Sequence, residues 1–553
     1  MDERQVDGRA ESASAAGGQG EAALSEETLH ALREHADGPV KIYAASVQDQ
    51  GAATYALARL GGEKNREKRL VVAGEEAGSG DPSNAFEEEA SLETGGGKRV
   101  AVCALTPGNA KALHAAFPWT APVPLGNASA VGCGDRLGMA TPGHLRACRR
   151  AEARPVLAQQ SIREMERTGR SPAEVLADAT WGVFEAGFTG GYGADADHLK
   201  TEEHIDRCLA EGYTMYTIDP SDHVDNEADG LSGDPLEERF QALPWENLGS
   251  TPEEALRRYV EEPHEEAEAL GVDFSEEELM RAAVKYGAAI AHTRRMADYL
   301  AAQYETERPG ETYDLEMSVD ETDHPTRPRE HFFVAAELRR LGVAVTSLAP
   351  RFTGEFQKGI DFIGDLDAFE ESFARHAAIA EALGGYKLSI HSGSDKFSVY
   401  PIMGRHAGRR LHLKTAGTSY LEALRIPARH APAVFREVVR YAFTRFETDK
   451  KTYHVTTDLD VIPAPADVAD EELEETYLEK NDGRQLLHLT YGSVLTATGE
   501  SGEPRFKDRF FALLDEHEAE HYEVLGAHFD RHLGGVGSVF ANDRAPEQAE
   551  ASA

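Results

Sequence analysis

Two histidines stand where metal chemistry is most easily built: His198 in GADADHLK and His391 in KLSIHSGSD each close a short apolar run and open a polar, small-residue stretch. Neutral imidazole is the commonest ligand for borderline divalent metals, and a catalytic metal takes about three protein ligands, with open positions for water or substrate. Glu355 or Gln357, in APRFTGEFQKG, is the expected third donor. Each histidine alone reads more readily as a hydrogen-bonded core residue, but two at strand ends of one barrel shift the balance toward ligation. The run YDLEMSVDE alternates Glu316, Ser318 and Asp320 on one face of an extended strand. A carboxylate desolvated there has a raised pKa and exchanges protons near neutrality, which makes Glu316 the expected acid/base residue; an ion-paired structural acid is the alternative. Asp135, Gln160 and Asp197 also end apolar runs and are expected to meet a substrate, as are the cations Arg351, Lys396 and Lys414, with Lys358 close by. Only 15 of the 57 basic residues are lysines, so lysines at strand ends point to a carboxylate or phosphate partner. Salt bridges to the many acids are the competing reading.

Side chains gathered in this way need a scaffold that ends many strands at one place. From about residue 126 the sequence repeats a short apolar strand, a polar Gly-rich turn and an amphipathic helix. Eight strand ends are expected, at 128–138, 155–161, 188–200, 213–225, 313–321, 343–356, 386–395 and 452–461. The pattern predicts an α/β fold, a (β/α)8 TIM-like barrel over 126–553 whose catalytic residues sit at the carboxyl ends of its strands. An open doubly wound sheet also alternates strand and helix, but no GxGxxG follows a strand. The segment 226–311 is too long for a simple crossover and carries its own helical pattern, read as a helical insertion after strand 4 that caps the site mouth. Residues 1–38 read as a disordered acidic tail. Residues 39–125 read as a small N-terminal α/β unit, with strands at 40–47 and 98–105, a helix around Ala52 to Leu60, and a poorly ordered acidic insertion at 71–97.

The 97 acidic residues give a formal charge of −40, which excludes a phosphate backbone as partner, because nucleic acid needs a basic face. No stretch approaches the roughly 20 apolar residues of a membrane span, and no basic patch followed by an apolar run opens the chain, so a cytoplasmic enzyme is expected. Four scattered cysteines read as reduced thiols. The acid excess suits a halophilic cytoplasm at molar salt, where the Debye length falls to about 3 Å. It also sets a puzzle, because an anionic protein repels an anionic substrate unless local cations or salt screen the field.

The strings GDRLGMATPGH, AQQSIREMERTGRSPAEVLADATWGVFEAG, GADADHLKT, TIDPSDHVD, FQKGIDFIGDL and IHSGSDKFSVYP resemble the tagaturonate/fructuronate epimerase family of hexuronate catabolism, from about residue 128 to 460. The resemblance implies reversible epimerisation of D-tagaturonate and D-fructuronate, small anionic sugars, with a divalent metal (manganese, cobalt, nickel or zinc). Carried onto matching positions, it makes His198 and His391 metal ligands, completed by Glu355 or Gln357. It also raises Glu316 as an acid/base residue and turns Ser161 toward the substrate as a proton-moving group. The inverted carbon lies β to the ketone, so retro-aldol cleavage is preferred over direct proton removal. A metal-dependent epimerase or aldolase of neutral ketoses and a non-catalytic sugar-acid binding protein are the competing readings; a homo-oligomer is left open.

Overall fold

Residues 24–61, 67–75, 85–262, 265–415 and 417–540 are described by a computed structural model. The chain divides into two compact units, Met1–Ala104 and Leu105–Ala553, ahead of the boundary expected near 125.

In the first unit Ser25 caps the helix Glu26–Ala36, its Oγ accepting from the Thr28 N–H at 3.2 Å. Strands β1 (Val40–Ile42), β2 (Gln48–Gln50), β3 (Ala53–Leu60), β4 (Lys68–Glu75), β5 (Glu88–Glu93) and β6 (Lys98–Ala104) form an antiparallel sheet in the order β1-β3-β4-β6-β5, with β2 paired to β3. Three expectations change here. The segment from Ala53 to Leu60, read as a helix, is β3: Gly51, at φ +62°, turns the chain back from β2, and ATYALARL then pairs with β1, β2 and β4. Sheet pairing overrides the alanine-rich helical preference. The acidic stretch at 71–97 supplies much of β4 and β5, where Glu88 bonds Arg99 of the adjacent β6 (2.7 Å) and Glu89 bonds Arg69 of β4, one strand further on (2.5 Å). The segment read as a disordered tail includes the helix Glu26–Ala36, while residues 1–23 lie outside the described ones.

The second unit is α/β. Its strands β7 (Ala130–Cys133), β8 (Arg154–Val156), β9 (Gln160–Ser161), β10 (Asp195–Leu199), β11 (Met215–Ile218), β12 (Asp314–Val319), β13 (Ser347–Pro350), β14 (Lys387–Ile390) and β15 (Leu411–Thr415) form one curled parallel sheet in the order β8-β7-β15-β14-β13-β12-β11-β10-β9. Nearly every strand residue is buried, as expected of parallel strands covered on both faces. The two ends of that order, β8 and β9, are successive pieces of one segment, and Val156 at the end of β8 also bridges to Gly193 just before β10.

The strand expected at 452–461 is β15 instead. LHLKT pairs with β14 and β7, whereas 452–461 is irregular between short 3-10 turns. The segment between β11 and β12 is helical, dominated by the 32-residue helix Glu276–Glu307 with its Ser275/Glu278 capping box. Among the described residues, none of those lining the cavity described below comes from this segment. The C-terminal helix Glu518–Val536 packs on Thr141–Ala151 so closely that a Cβ on Gly143 would lie 2.8 Å from Leu525 Cβ. All four cysteines are free and buried, and no described helix is long and apolar enough to cross a membrane.

Candidate active site

A cavity of about 320 Å³ opens where β9, β10, β12, β13 and β14 end, lined by residues that include Ser161, Asp197, His198, Asp320, Arg351, Gln357 and His391. Successive strand residues face opposite ways, so Asp197 and His198 would ordinarily part. Here the register of β10 against β11 shifts between Ala196 and Leu199, and His198 takes φ +58°, a left-handed conformation uncommon for a side chain with a Cβ. That bulge turns both side chains toward His391. One ligand atom from each of Asp197, His198 and His391 lies within 4.8 Å of the others, and the two imidazoles are 5.0 Å apart.

The donor chemistry fits a divalent cation. His198 Nδ1 sits 3.0 Å from Asp197 Oδ2, yet it is buried without an aligned hydrogen-bond partner, as expected of ligands that converge on a shared third atom. Burial disfavours charge on His198, but Asp197, Glu321 and Asp219 outweigh it and raise the imidazole to about 10. His391 is likewise raised to about 9, against burial, chiefly by Asp320 at 3.1 Å from its Nδ1. Carboxylates that draw protons onto two histidines provide the field that a metal cation exploits when it displaces those protons.

Behind the cavity wall lies a buried charge network. Lys414 Nζ is 2.8 Å from Asp195 Oδ2, 2.7 Å from Asp197 Oδ1 and 2.8 Å from Glu316 Oε1. Glu316 also accepts from His391 Nε2 at 2.8 Å and from the Ser347 hydroxyl. Burial would raise the Glu316 carboxyl, but Lys414, His391 and His412 together hold it well below the usual carboxylate range. The expected raised pKa is therefore reversed: Glu316 is outside the cavity lining, stays ionised and orients His391.

Other expected residues separate according to what else binds them. Lys414 is consumed by the three acids, and Lys396 by the carbonyls of Gln357 (2.8 Å), Ser394 (2.9 Å) and Ile360; neither lines the cavity. Asp135 caps the turn after β7, accepting from the N–H groups of Leu137, Gly138 and Ala140, and Gln160 accepts from Arg170 at 3.1 Å; both fall outside the cavity lining. Ser161 does line it, while its Oγ accepts from the Glu164 N–H at 3.2 Å as a helix N-cap, which leaves the hydroxyl hydrogen free to donate. Arg351 lines it with one guanidinium N–H on the Thr322 carbonyl. Glu355 and Gln357 line it too, but Glu355 pairs with His454 at 3.3 Å and Gln357 with Thr456 and Gln485, so neither stands in the Asp197/His198/His391 group. The third candidate ligand is Asp197, expected only as a substrate contact. Glu321, paired with Arg163 at 2.9 Å, and the Tyr453 and His454 side chains complete the wall; the latter two come from the stretch misread as a strand.

The chain matches the family model for tagaturonate epimerase over residues 43–536. It is 41% identical over 507 residues to the tagaturonate/fructuronate epimerase of Thermotoga maritima, covering 91% of this chain and 98% of that protein. Crystal structures of the fructuronate-tagaturonate epimerase of Cohnella laeviribosi, one with one glycerol bound and one native, match it with a TM-score of 0.82 at 40% identity, each covering 93% of this chain and 100% of theirs. With a family model spanning nearly the whole described chain, this protein belongs to the tagaturonate epimerase family.

Proposed function

We propose that the protein interconverts D-tagaturonate and D-fructuronate, using a divalent metal held by Asp197, His198 and His391 at the mouth of a (β/α)8 barrel. In this reading 154–161 is one interrupted strand, bonded to β7 on one side and β10 on the other, so that eight strands close. The observation that carries the function is the bulge that brings Asp197 and His198 to His391, in a chain of this family. Two imidazoles and a carboxylate suit manganese, cobalt, nickel or zinc. When bound, such a cation supplies Lewis-acid polarisation of the substrate ketone.

The protein's own groups do the rest. The inverted carbon is β to the ketone, so its hydrogen is not acidified by enolisation. Cleaving the bond between it and the carbon α to the ketone instead yields an aldehyde and an enediolate. Asp320, beside His391, accepts the hydroxyl proton as the bond breaks and returns it after the aldehyde has turned its other face. Ser161 donates a hydrogen bond to a substrate oxygen, and Glu316 and Lys414 hold His391 and Asp197 in place. The acid excess is read as suiting a cytoplasm at molar salt, so the assay uses high-salt buffer. Tagaturonate is supplied with the metal-loaded and the chelator-stripped protein, in D2O and in H2O. Fructuronate is expected only with metal, without deuterium at the inverted carbon. Equal turnover by verified metal-free protein would overturn the metal, and deuterium at that carbon would overturn the cleavage route.

A further inference from the structure

Three arginine or lysine side chains line the cavity: Arg163 pairs with Glu321 at 2.9 Å, and Arg351 places one guanidinium N–H on the Thr322 carbonyl. The third, Lys358, is half-buried and has no acceptor for its Nζ among the described residues. Its field reaches Glu164, but that carboxylate is bonded to Arg136 at 2.7 Å. An unpaired lysine is conspicuous in a chain with 97 acids and 15 lysines.

Beside it, Gln357 is only 3% exposed and its Nε2 has no partner. The amide cannot be turned over to satisfy that nitrogen. Gln357 Oε1 already accepts from the Thr456 N–H (3.0 Å), the Thr456 hydroxyl (3.1 Å) and Gln485 Nε2 (3.2 Å), and a flip would set donor against donor. Two adjacent residues of the cavity lining thus keep donor capacity to spare, the Lys358 ammonium and the buried Gln357 amide nitrogen. The loop that carries them is fixed from behind. Lys396 bonds the carbonyls of Gln357 and Ile360, and Arg484 Nε bonds that of Gly359 at 2.8 Å.

We propose that Lys358 and Gln357 are the specificity-determining residues that bind the substrate's carboxylate and so select a sugar acid over the neutral ketose of the same skeleton. The proposal rests on the epimerase reading above. It also gives that reading a needed part: after cleavage the aldehyde fragment carries the carboxylate, and an anchor there keeps the fragment in the cavity while its aldehyde turns.

The test uses the full-length, metal-loaded protein and its Lys358→Met, Lys358→Arg and Gln357→Leu variants, with tagaturonate and tagatose compared by calorimetry and by steady-state rates. Removing a charge-assisted hydrogen bond is expected to weaken tagaturonate binding on the order of 10- to 100-fold in Lys358→Met, with tagatose weakened at least tenfold less. Lys358→Arg should retain most of the affinity and Gln357→Leu a smaller share. Lys358→Met is also expected to release a three-carbon aldehyde acid during turnover. Equal losses for both sugars, or none for tagaturonate, would overturn the proposal. If wild-type protein binds tagaturonate without converting it, the epimerase reading fails, while the calorimetric dependence on Lys358 still decides this one.

Discussion

Replacing Lys414 with Met removes the one cation that touches Asp195, Asp197 and Glu316 and puts a side chain of similar length into the same buried space. At an effective dielectric of about 20, each contact near 2.8 Å carries roughly 6 kcal/mol of Coulomb attraction. Most of that offsets the desolvation of four charged groups, and stripping one partner from a buried ion group costs about 3–5 kcal/mol net. The cost must depend on pH. In the native network burial already raises Asp195 to about 6, despite Lys414. Without the lysine Asp195 rises further, and Asp197 and Glu316, which Lys414 helps to hold well below the usual carboxylate range, rise as well. A carboxyl whose folded pKa is raised loses stability as pH climbs through the unfolded and then the folded value, so the deficit is largest at pH 8 and shrinks toward pH 5 as the acids take up protons. Urea unfolding at fixed high salt measures this, followed by tryptophan fluorescence, because Trp119, Trp181 and Trp245 all lie in the second unit. Adding Glu316→Gln should recover part of the loss. A deficit under about 1 kcal/mol at pH 8, or one independent of pH, would refute the network account.

The loop after His391 admits no added carbon: a Cβ on Gly393 would lie 2.6 Å from Leu413 Cδ1 and 2.9 Å from the Ile390 carbonyl oxygen. Gly393→Ala should cost about 1–3 kcal/mol and weaken metal binding roughly tenfold in competition with a chelating dye; unchanged affinity would show that His391 tolerates the shift. Acid should unfold the second unit early, because burial lowers His144 and His376 from their ordinary value near 6.5 to about 4. Such groups contribute stability that is present above pH 6.5 and lost as pH falls toward 4, about 2 kcal/mol each between pH 7 and pH 5. Replacing both with Gln should flatten that slope in urea midpoints, and a slope that persists would assign it to other groups.

The repeating strand and helix pattern was legible because apolar runs recur with polar Gly-rich ends, and β7, β10, β11, β12, β13 and β14 fall inside expected segments. The last strand was not: LHLKT spends two of its five residues on an inward histidine and lysine, whereas TYHVTTDLDV carries the β-branched and aromatic composition of a strand. His198 and His391 were legible from their positions at strand ends. That Asp197 stands beside His198 and His391 was hidden because alternation places neighbours on opposite faces, and only the bulge, invisible in composition, cancels it. Lys396 and Lys414 were misassigned for a related reason. A lysine near a strand end looks the same in sequence whether its ammonium meets a ligand, three carboxylates or three carbonyls.

That difference bears on the charge puzzle, if the protein works at the molar salt its acid excess suits. A chain carrying −40 presents a repulsive field to a sugar acid, but at molar salt the Debye length of about 3 Å confines interactions to groups in contact. Recognition then depends on the cavity's own donors, held in place before the substrate arrives. The buried lysines serve that end indirectly. Lys414 neutralises the acids behind Asp197 and His391, so that this cluster does not repel itself apart, and Lys396 fixes the loop that carries Gln357 and Lys358. Two of the residues expected to touch the substrate instead brace residues of the cavity lining, and on the proposed reading their loss should alter specificity and metal affinity as well as stability.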